Sequence, residues 1–219
     1  MLDAGAEPSP EVLYLAASES RSDIVEVLTD VMDDVDASVG ELGNALCAAA
    51  CNEEGHTTLR VLLDRGGNVN WQGGKYGCAL QAAAANCRAE NVALLLRYGA
   101  DANAQCGHYG NALTAVARHQ TQFEELAGLL LEYEADIHAQ GPGVYGNPLQ
   151  TAVYRKSPHR VRFLLQRGAS KTAAGRFGSA LEIAQRYGDG SSSRSEEQAE
   201  EDILAMLTET EFVGFVTRN

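Results

Sequence analysis

Two arrangements of apolar and polar positions recur along the chain, in step with one another. In the first, a glycine is followed by a small or polar residue, a small residue and a leucine. It appears as Gly43-Asn44-Ala45-Leu46, Gly77-Cys78-Ala79-Leu80, Gly110-Asn111-Ala112-Leu113, Gly146-Asn147-Pro148-Leu149 and Gly178-Ser179-Ala180-Leu181. The leucines lie 34, 33, 36 and 32 residues apart, and Leu13 extends the series 33 residues before Leu46. The second arrangement keeps the same phase. It runs Leu62-Leu63-Asp64-Arg65-Gly66, Leu95-Leu96-Arg97-Tyr98-Gly99 and Leu130-Leu131-Glu132-Tyr133-Glu134. Self-similarity at such a period marks a stack of small supersecondary units.

Each period predicts two helices and a turn. An alanine-rich helix such as Leu80 to Asn86 lets its neighbours approach closely. A second helix such as Asn91 to Tyr98 supplies the core with Val92, Leu94, Leu95 and Leu96. Gly99 then provides the positive φ that ends a helix. The segment from Ala102 to Gly110 is rich in turn residues and predicts a hairpin-like finger. One such unit cannot bury its apolar face alone, so the units must stack.

This pattern resembles the ankyrin repeat, with Gly-Asn-Ala-Leu-Gln standing where many members have Thr-Pro-Leu-His. The Tyr-Gly-Asn-Ala-Leu version is similar to arrays in large fungal proteins. The resemblance runs from Met1 to about Leu207, and Pro148 alone preserves the family's proline. It implies an all-α solenoid of paired antiparallel helices with hairpin-like fingers, right-handed and curved, with about five full repeats plus partial ends. The whole of 1–219 is then one domain: the tail of a preceding repeat (1–9), repeats at 10–41, 42–75, 76–108, 109–144 and 145–176, a last repeat (177–207) with a flexible polar insertion at 188–198, and a C-terminal tail (208–219). The closing helix is expected from Ala199 to Leu207, followed by an apolar stretch, Phe212, Val213, Phe215 and Val216, that folds over the end of the stack or serves as a docking peptide.

Departures from the pattern carry expectations of their own. Met32 and Glu134 replace the helix-ending glycine, which predicts strain or a reshaped turn at each. Only 8 residues separate Gly5 from Leu13, against 14 between Gly66 and Leu80, so the first finger is expected to be missing. Leu2-Asp3-Ala4-Gly5-Ala6-Glu7 looks like the end of an earlier repeat, so the chain reads as a piece of a longer array.

Composition adds limits. There is no long apolar run and no signal-peptide pattern, which argues against a membrane span and against secretion. Five cysteines, Cys47, Cys51, Cys78, Cys87 and Cys106, form no C-x-x-C pair and fit small buried thiols in a reducing cytoplasm or nucleus. The formal charge of -13 disfavours nucleic acid as a partner. It is unevenly spread: residues 1 to 66 carry a net -11, residues 67 to 190 a net +3 and residues 191 to 219 a net -5.

Catalytic signatures are absent from the sequence: it holds no G-x-S-x-G, no P-loop, no H-E-x-x-H and no EF-hand loop. His56, His108, His119, His138 and His159 are scattered, and Gly73-Gly74 and Gly141-Pro142-Gly143 read as finger tips. The chain is therefore expected to be no enzyme and to use no cofactor and no metal. The resemblance implies that the fingers and the two residues ending each first helix line a concave groove. Those positions include Arg118 and His119, Tyr154 and Arg155, and Arg186 and Tyr187. The fingers add Trp71, Lys75, Tyr76, His108, Tyr109, Tyr145 and Arg176. An aromatic before each glycine can pack finger on finger or touch a ligand, and the arginines can be a solvated helix surface or a binding row. Arginine forks and tyrosine rings suit a carboxylate-bearing peptide. The expected function is a protein-protein interaction module, a monomer or weak dimer, whose partner is another protein or an acidic segment of the same polypeptide. Two other readings stand beside it: a spacer or sensor segment of a larger protein, and a small-molecule or pseudo-catalytic site at Trp71, Tyr76, His108 and Tyr109.

Overall fold

The computed structural model describes residues 8–118, 121–141, 146–175, 177–187 and 194–209. Among them are twelve helices in six consecutive pairs. The first member of each pair is an inner helix: α1 (Pro10–Ser18), α3 (Ala45–Cys51), α5 (Ala79–Ala85), α7 (Ala112–Arg118), α9 (Pro148–Tyr154) and α11 (Ala180–Tyr187). The second is an outer helix: α2 (Ser22–Thr29), α4 (His56–Asp64), α6 (Ala89–Arg97), α8 (Phe123–Glu132), α10 (Pro158–Gln166) and α12 (Arg194–Thr208). Inner helices pack on inner helices and outer on outer, giving two layers with one continuous core between them.

Residue size explains the layers. Ala45, Ala48, Ala49 and Ala50 of α3 and Ala79, Ala82, Ala83 and Ala84 of α5 are all buried, so inner helices touch almost backbone to backbone. Leu59, Leu62, Val92, Leu95, Leu126, Leu130, Val161 and Leu164 of the outer helices are wholly buried and fill the space behind. After three of the finger glycines an asparagine starts the inner helix: Asn44, Asn111 and Asn147 accept from the backbone N–H of Cys47, Thr114 and Gln150 at 3.0, 2.8 and 2.8 Å. Side chains on the outer helices satisfy carbonyls at the far ends of inner ones. Asn91 donates to Ala50 and Asn52, and at the same repeat position the buried Arg160 donates to Ala117 at 2.6 Å.

The helix-ending glycines adopt the left-handed conformation, with φ of 88°, 85° and 90° at Gly66, Gly99 and Gly168. A Cβ there would meet nothing, so backbone conformation alone asks for glycine. Of the two departures, Glu134 is forced into the same conformation at φ 61°, whereas Met32 is not left-handed: the N–H groups of Val31 and Met32 both bond to the carbonyl of Leu28. One turn is strained and the other reshaped. A second set of left-handed residues, Ser20, Cys87 and Lys156, falls seven positions after the leucine anchor, and none of the three is glycine.

Four fingers close on a single antiparallel bridge, Val39 with Gly43, Gly73 with Gly77, Cys106 with Gly110 and Gly175 with Gly178, and no strand is formed among the described residues. Successive fingers press together so closely that a Cβ on Gly107 would lie 2.1 Å from the carbonyl oxygen of Tyr76. Side chains clasp the units. The Gln81 amide donates to the carbonyls of Ala104 and Gly110 in the next finger, and Gln150 repeats the contact with Ala173 and Gly178. Asn70 accepts from the N–H of Asp101 and donates to the Gly99 carbonyl, and Asn103 does the same with Asp136 and Glu134.

At the C-terminal end α12 starts at Arg194, so the latter part of the expected insertion is helical. Glu196 and Glu197 stand in its first turn, where the helix dipole favours acidic side chains. The Lys171 ammonium donates to the carbonyls of Met206 and Glu209 at the other end of α12. The short entry expected before α1 and the apolar stretch from Phe212 to Val216 lie outside the described residues. No helix among the described residues is long and apolar enough to cross a membrane.

Candidate functional site

The finger tips and the C-terminal ends of the inner helices place most of the candidate residues along one edge of the stack. In the middle of it Tyr76 and Tyr109, from consecutive fingers, stack with ring centroids 6.3 Å apart and planes at 18°. Tyr109 is only 8% exposed, so its ring holds the fingers together more than it meets solvent. His108, exposed, meets Tyr109 edge-on at 5.2 Å. Lys75 is exposed, lies 5.7 Å from the Tyr76 ring centroid and pairs with Glu41 of the preceding finger at 3.3 Å. That hydrogen-bonded carboxylate holds the Lys75 ammonium above its ordinary pKa.

Arg118 ends α7 and reaches back to the finger of its own unit. Its Nη1 donates to the Tyr109 hydroxyl at 3.0 Å, and its guanidinium carbon sits 5.5 Å from the Tyr109 ring centroid. Arg186 makes the equivalent reach nine residues back, donating from Nη1 to the Phe177 carbonyl at 3.1 Å. Between them on the stack, Tyr154 ends α9 and Arg155 caps it, both exposed. Phe177 is 44% exposed. Lys75, Tyr76, His108, Tyr109 and Arg118 are therefore one connected cluster, continued by Tyr154, Arg155 and Arg186.

Trp71 is placed differently. Its six-membered ring covers two glycines: a Cβ on Gly43 would lie 2.6 Å from Cζ3, and one on Gly73 would lie 2.3 Å from Cη2. The indole, half-buried, thus seals its own finger against that of the preceding unit. His119, Tyr145 and Arg176 lie outside the described residues. For Tyr187 only its backbone place at the end of α11 is described. Sequence reasoning missed Glu41 and the two glutamines. Glu41 carried no signal, but Gln81 and Gln150 stand directly after an anchor leucine and could have been found from that register.

The thiols are structural in character. Burial pushes Cys47 up to about 12 and Cys51 up to about 11. Cys78, at the N-cap of α5, is held below the ordinary thiol value by a hydrogen bond from the Cys106 thiol, and Gln81 also approaches that sulfur at 3.1 Å. Among the described residues no group of three histidine, cysteine or carboxylate side chains is placed to hold a metal ion.

The family model for ankyrin repeats in three copies matches residues 13–106 and 80–175. No curated protein matches the sequence. Among solved structures, the human ASB11 ankyrin repeat domain is similar in fold, with a TM-score of 0.68 and 24% identity over 90% of this chain and 84% of that one. Ankyrin repeats generally serve as protein-binding, non-enzymatic scaffolds. With most of its length matched in phase with the helix pairs described above, the chain belongs to the ankyrin-repeat family.

Proposed function

We propose that this chain is a non-catalytic interaction module that takes an extended, acidic peptide segment of another protein along its finger edge and inner-helix ends. The observation that carries this reading is the run of arginines at equivalent inner-helix ends. Arg118 and Arg186 are each braced against their own finger, and the exposed Tyr154 and Arg155 stand between them. Bracing lowers the conformational entropy lost when a guanidinium engages a carboxylate, and the neighbouring rings offer stacking surface for the peptide. Each exposed pair would contribute about 0.2–1 kcal/mol alone, so selectivity for the partner comes from the row.

A second reading, in which the row is occupied by an acidic part of the same polypeptide, draws on the net -11 of residues 1 to 66 and the net -5 of residues 191 to 219. One experiment separates the two. Pull-downs with the wild-type chain and with the Arg118→Glu/Arg155→Glu/Arg186→Glu variant, at low and moderate salt, are followed by titration of the captured acidic peptide. A partner captured by the first and lost with the second, with melting temperatures alike, supports the intermolecular reading. Unchanged capture by the triple variant overturns the groove assignment. The Arg155→Glu/Arg186→Glu pair serves as the control in which the Tyr109 contact is kept.

A further inference from the structure

We infer that Cys78 and Cys106 form a site of reversible oxidation, at which a small hydroperoxide joins them in a disulfide that ties α5 to the finger of the next unit. In the reduced chain described above both thiols belong to the packing. The inference is independent of the groove reading.

The repeat register shows that the pair arises where two departures meet. Cys78 stands at the cap position of α5, where neighbouring units have Asn44, Asn111 and Asn147. A thiol is a weaker acceptor than the amide oxygen it replaces, so capping does not ask for cysteine. Cys106 stands at the first bridge position of its finger, opposite Gly110, where the other bridged fingers have Val39, Gly73 and Gly175. Valine or no side chain at all serves at that position, so packing does not ask for a thiol there either.

The contact between the two is direct. The fingers press together so that a Cβ on Gly77, the residue before Cys78, would lie 2.6 Å from the carbonyl carbon of Cys106. The Cys106 thiol donates to the Cys78 sulfur. Gln81, one turn along α5 from Cys78, sends its amide to the Cys106 sulfur at 3.1 Å and to the carbonyls of Ala104 and Gly110 in the same finger. With that lone pair engaged, the hydrogen of Cys106 is left for Cys78, and the two sulfurs are already in contact when an oxidant arrives.

This arrangement divides the roles. The bond from Cys106 holds the Cys78 thiol below its ordinary pKa, against the desolvation that burial brings, while the same bond and burial push Cys106 up. Cys78 is therefore the nucleophile and Cys106 the resolving thiol. The Cys78 thiolate attacks one oxygen of the hydroperoxide, the O–O bond breaks, and the leaving oxygen takes up a proton and departs as water or alcohol. Cys106 then attacks the sulfenic sulfur of Cys78. The S–S bond forms, the S–O bond breaks, and hydroxide leaves with the Cys106 proton as water. Two thiols have lost two electrons, and the peroxide has gained them. Cys106 is half-buried and its finger closes on a single bridge, so local opening admits a molecule of peroxide size. Cys47 and Cys51, pushed up by burial to about 12 and about 11, hold too little thiolate to compete.

Exposure of the fully reduced chain to hydrogen peroxide tests this. Free thiols are then blocked with N-ethylmaleimide and the digest is mapped by mass without reductant. The expected product is a monomer lacking two hydrogens, with the Cys78 and Cys106 peptides linked. A cross-link spanning residues 78 to 106 should raise the melting temperature by roughly 5–10 °C, and dithiothreitol should return it to its starting value. Cys106→Ser should abolish the link and leave a Cys78 sulfenic acid that dimedone traps, whereas Cys87→Ser should change neither the link nor its rate. Links through other cysteines or between chains overturn the inference, as does a chain that keeps both thiols under peroxide that oxidises free glutathione. A Cys78–Cys106 link that lowers the melting temperature overturns it too, because the fold would then be holding the sulfurs apart.

Discussion

Replacing Gln81 by alanine should destabilise the stack by about 2 kcal/mol, and the effect should come from hydrogen bonds rather than packing. Gln81 is fully buried, and its amide donates to the carbonyls of Ala104 and Gly110 at 3.2 Å each, tying α5 to the next finger. Two neutral hydrogen bonds are worth about 1 kcal/mol each, and loss of one buried methylene adds about 0.8 kcal/mol. Against this, the side-chain carbonyl of Gln81 is buried without a partner, and truncation removes that penalty. The net of about 2 kcal/mol corresponds to a fall of roughly 4–8 °C in melting temperature for a chain of this size. Gln81→Met separates the causes, since it keeps the volume and loses the donor. It should cost nearly as much as alanine in urea denaturation, and the Cys106 amide, which donates to Gly110 at 2.9 Å, should exchange its hydrogen faster in both variants. Gln150→Ala should cost more, because the Gln150 side chain also accepts from the Asn147 backbone N–H in a capping box. If Gln81→Met lies within about 0.5 kcal/mol of the wild type, an ordinary surface-substitution effect, the clasp is not what joins the fingers.

Further tests follow from the same geometry. Glu134→Gly should stabilise by up to about 1 kcal/mol, the cost of a left-handed non-glycine residue, while Gly99→Glu should destabilise by a similar amount; thermal melts of the two variants read both. Cys47 is neutral in the folded chain up to about 12, whereas the unfolded thiol ionises near 8.5. The unfolded state therefore binds fewer protons as pH rises past that value, and stability should fall by up to about 1.4 kcal/mol per pH unit from this group, a slope that Cys47→Ala should reduce in urea titrations run between pH 8 and pH 11. Asn103→Ala removes an inter-unit bond in each direction, to Asp136 and Glu134, and should lower the urea midpoint measurably while leaving the helix content of the folded chain unchanged.

The sequence by itself determined the repeat, the order and approximate extent of the helix pairs, the left-handed glycines and the stacking into one core. All of these follow from local rules: a period near 33, alanine on one helix, leucine on the other, and glycine where φ is positive. It also placed Arg118, Tyr154, Arg155 and Arg186 at equivalent ends of the inner helices, because position in a repeat is position in space. What it left undetermined depends on groups far apart along the chain. Whether Tyr76 and Tyr109 stack, whether Trp71 covers Gly43, and whether Arg118 turns back to Tyr109 are set by the approach of neighbouring units, which alanine and glycine permit but do not aim. The fates of Met32 and Glu134 show the same division. Both occupy the glycine position, yet one turn reshapes and the other stays strained, and at the second the Asn103 amide of the preceding unit holds the Glu134 carbonyl and the Asp136 N–H. The exposure of Val12, Leu15, Val27 and Val31 in the first helix pair is likewise decided by the stack, since it depends on what lies beside each residue in space.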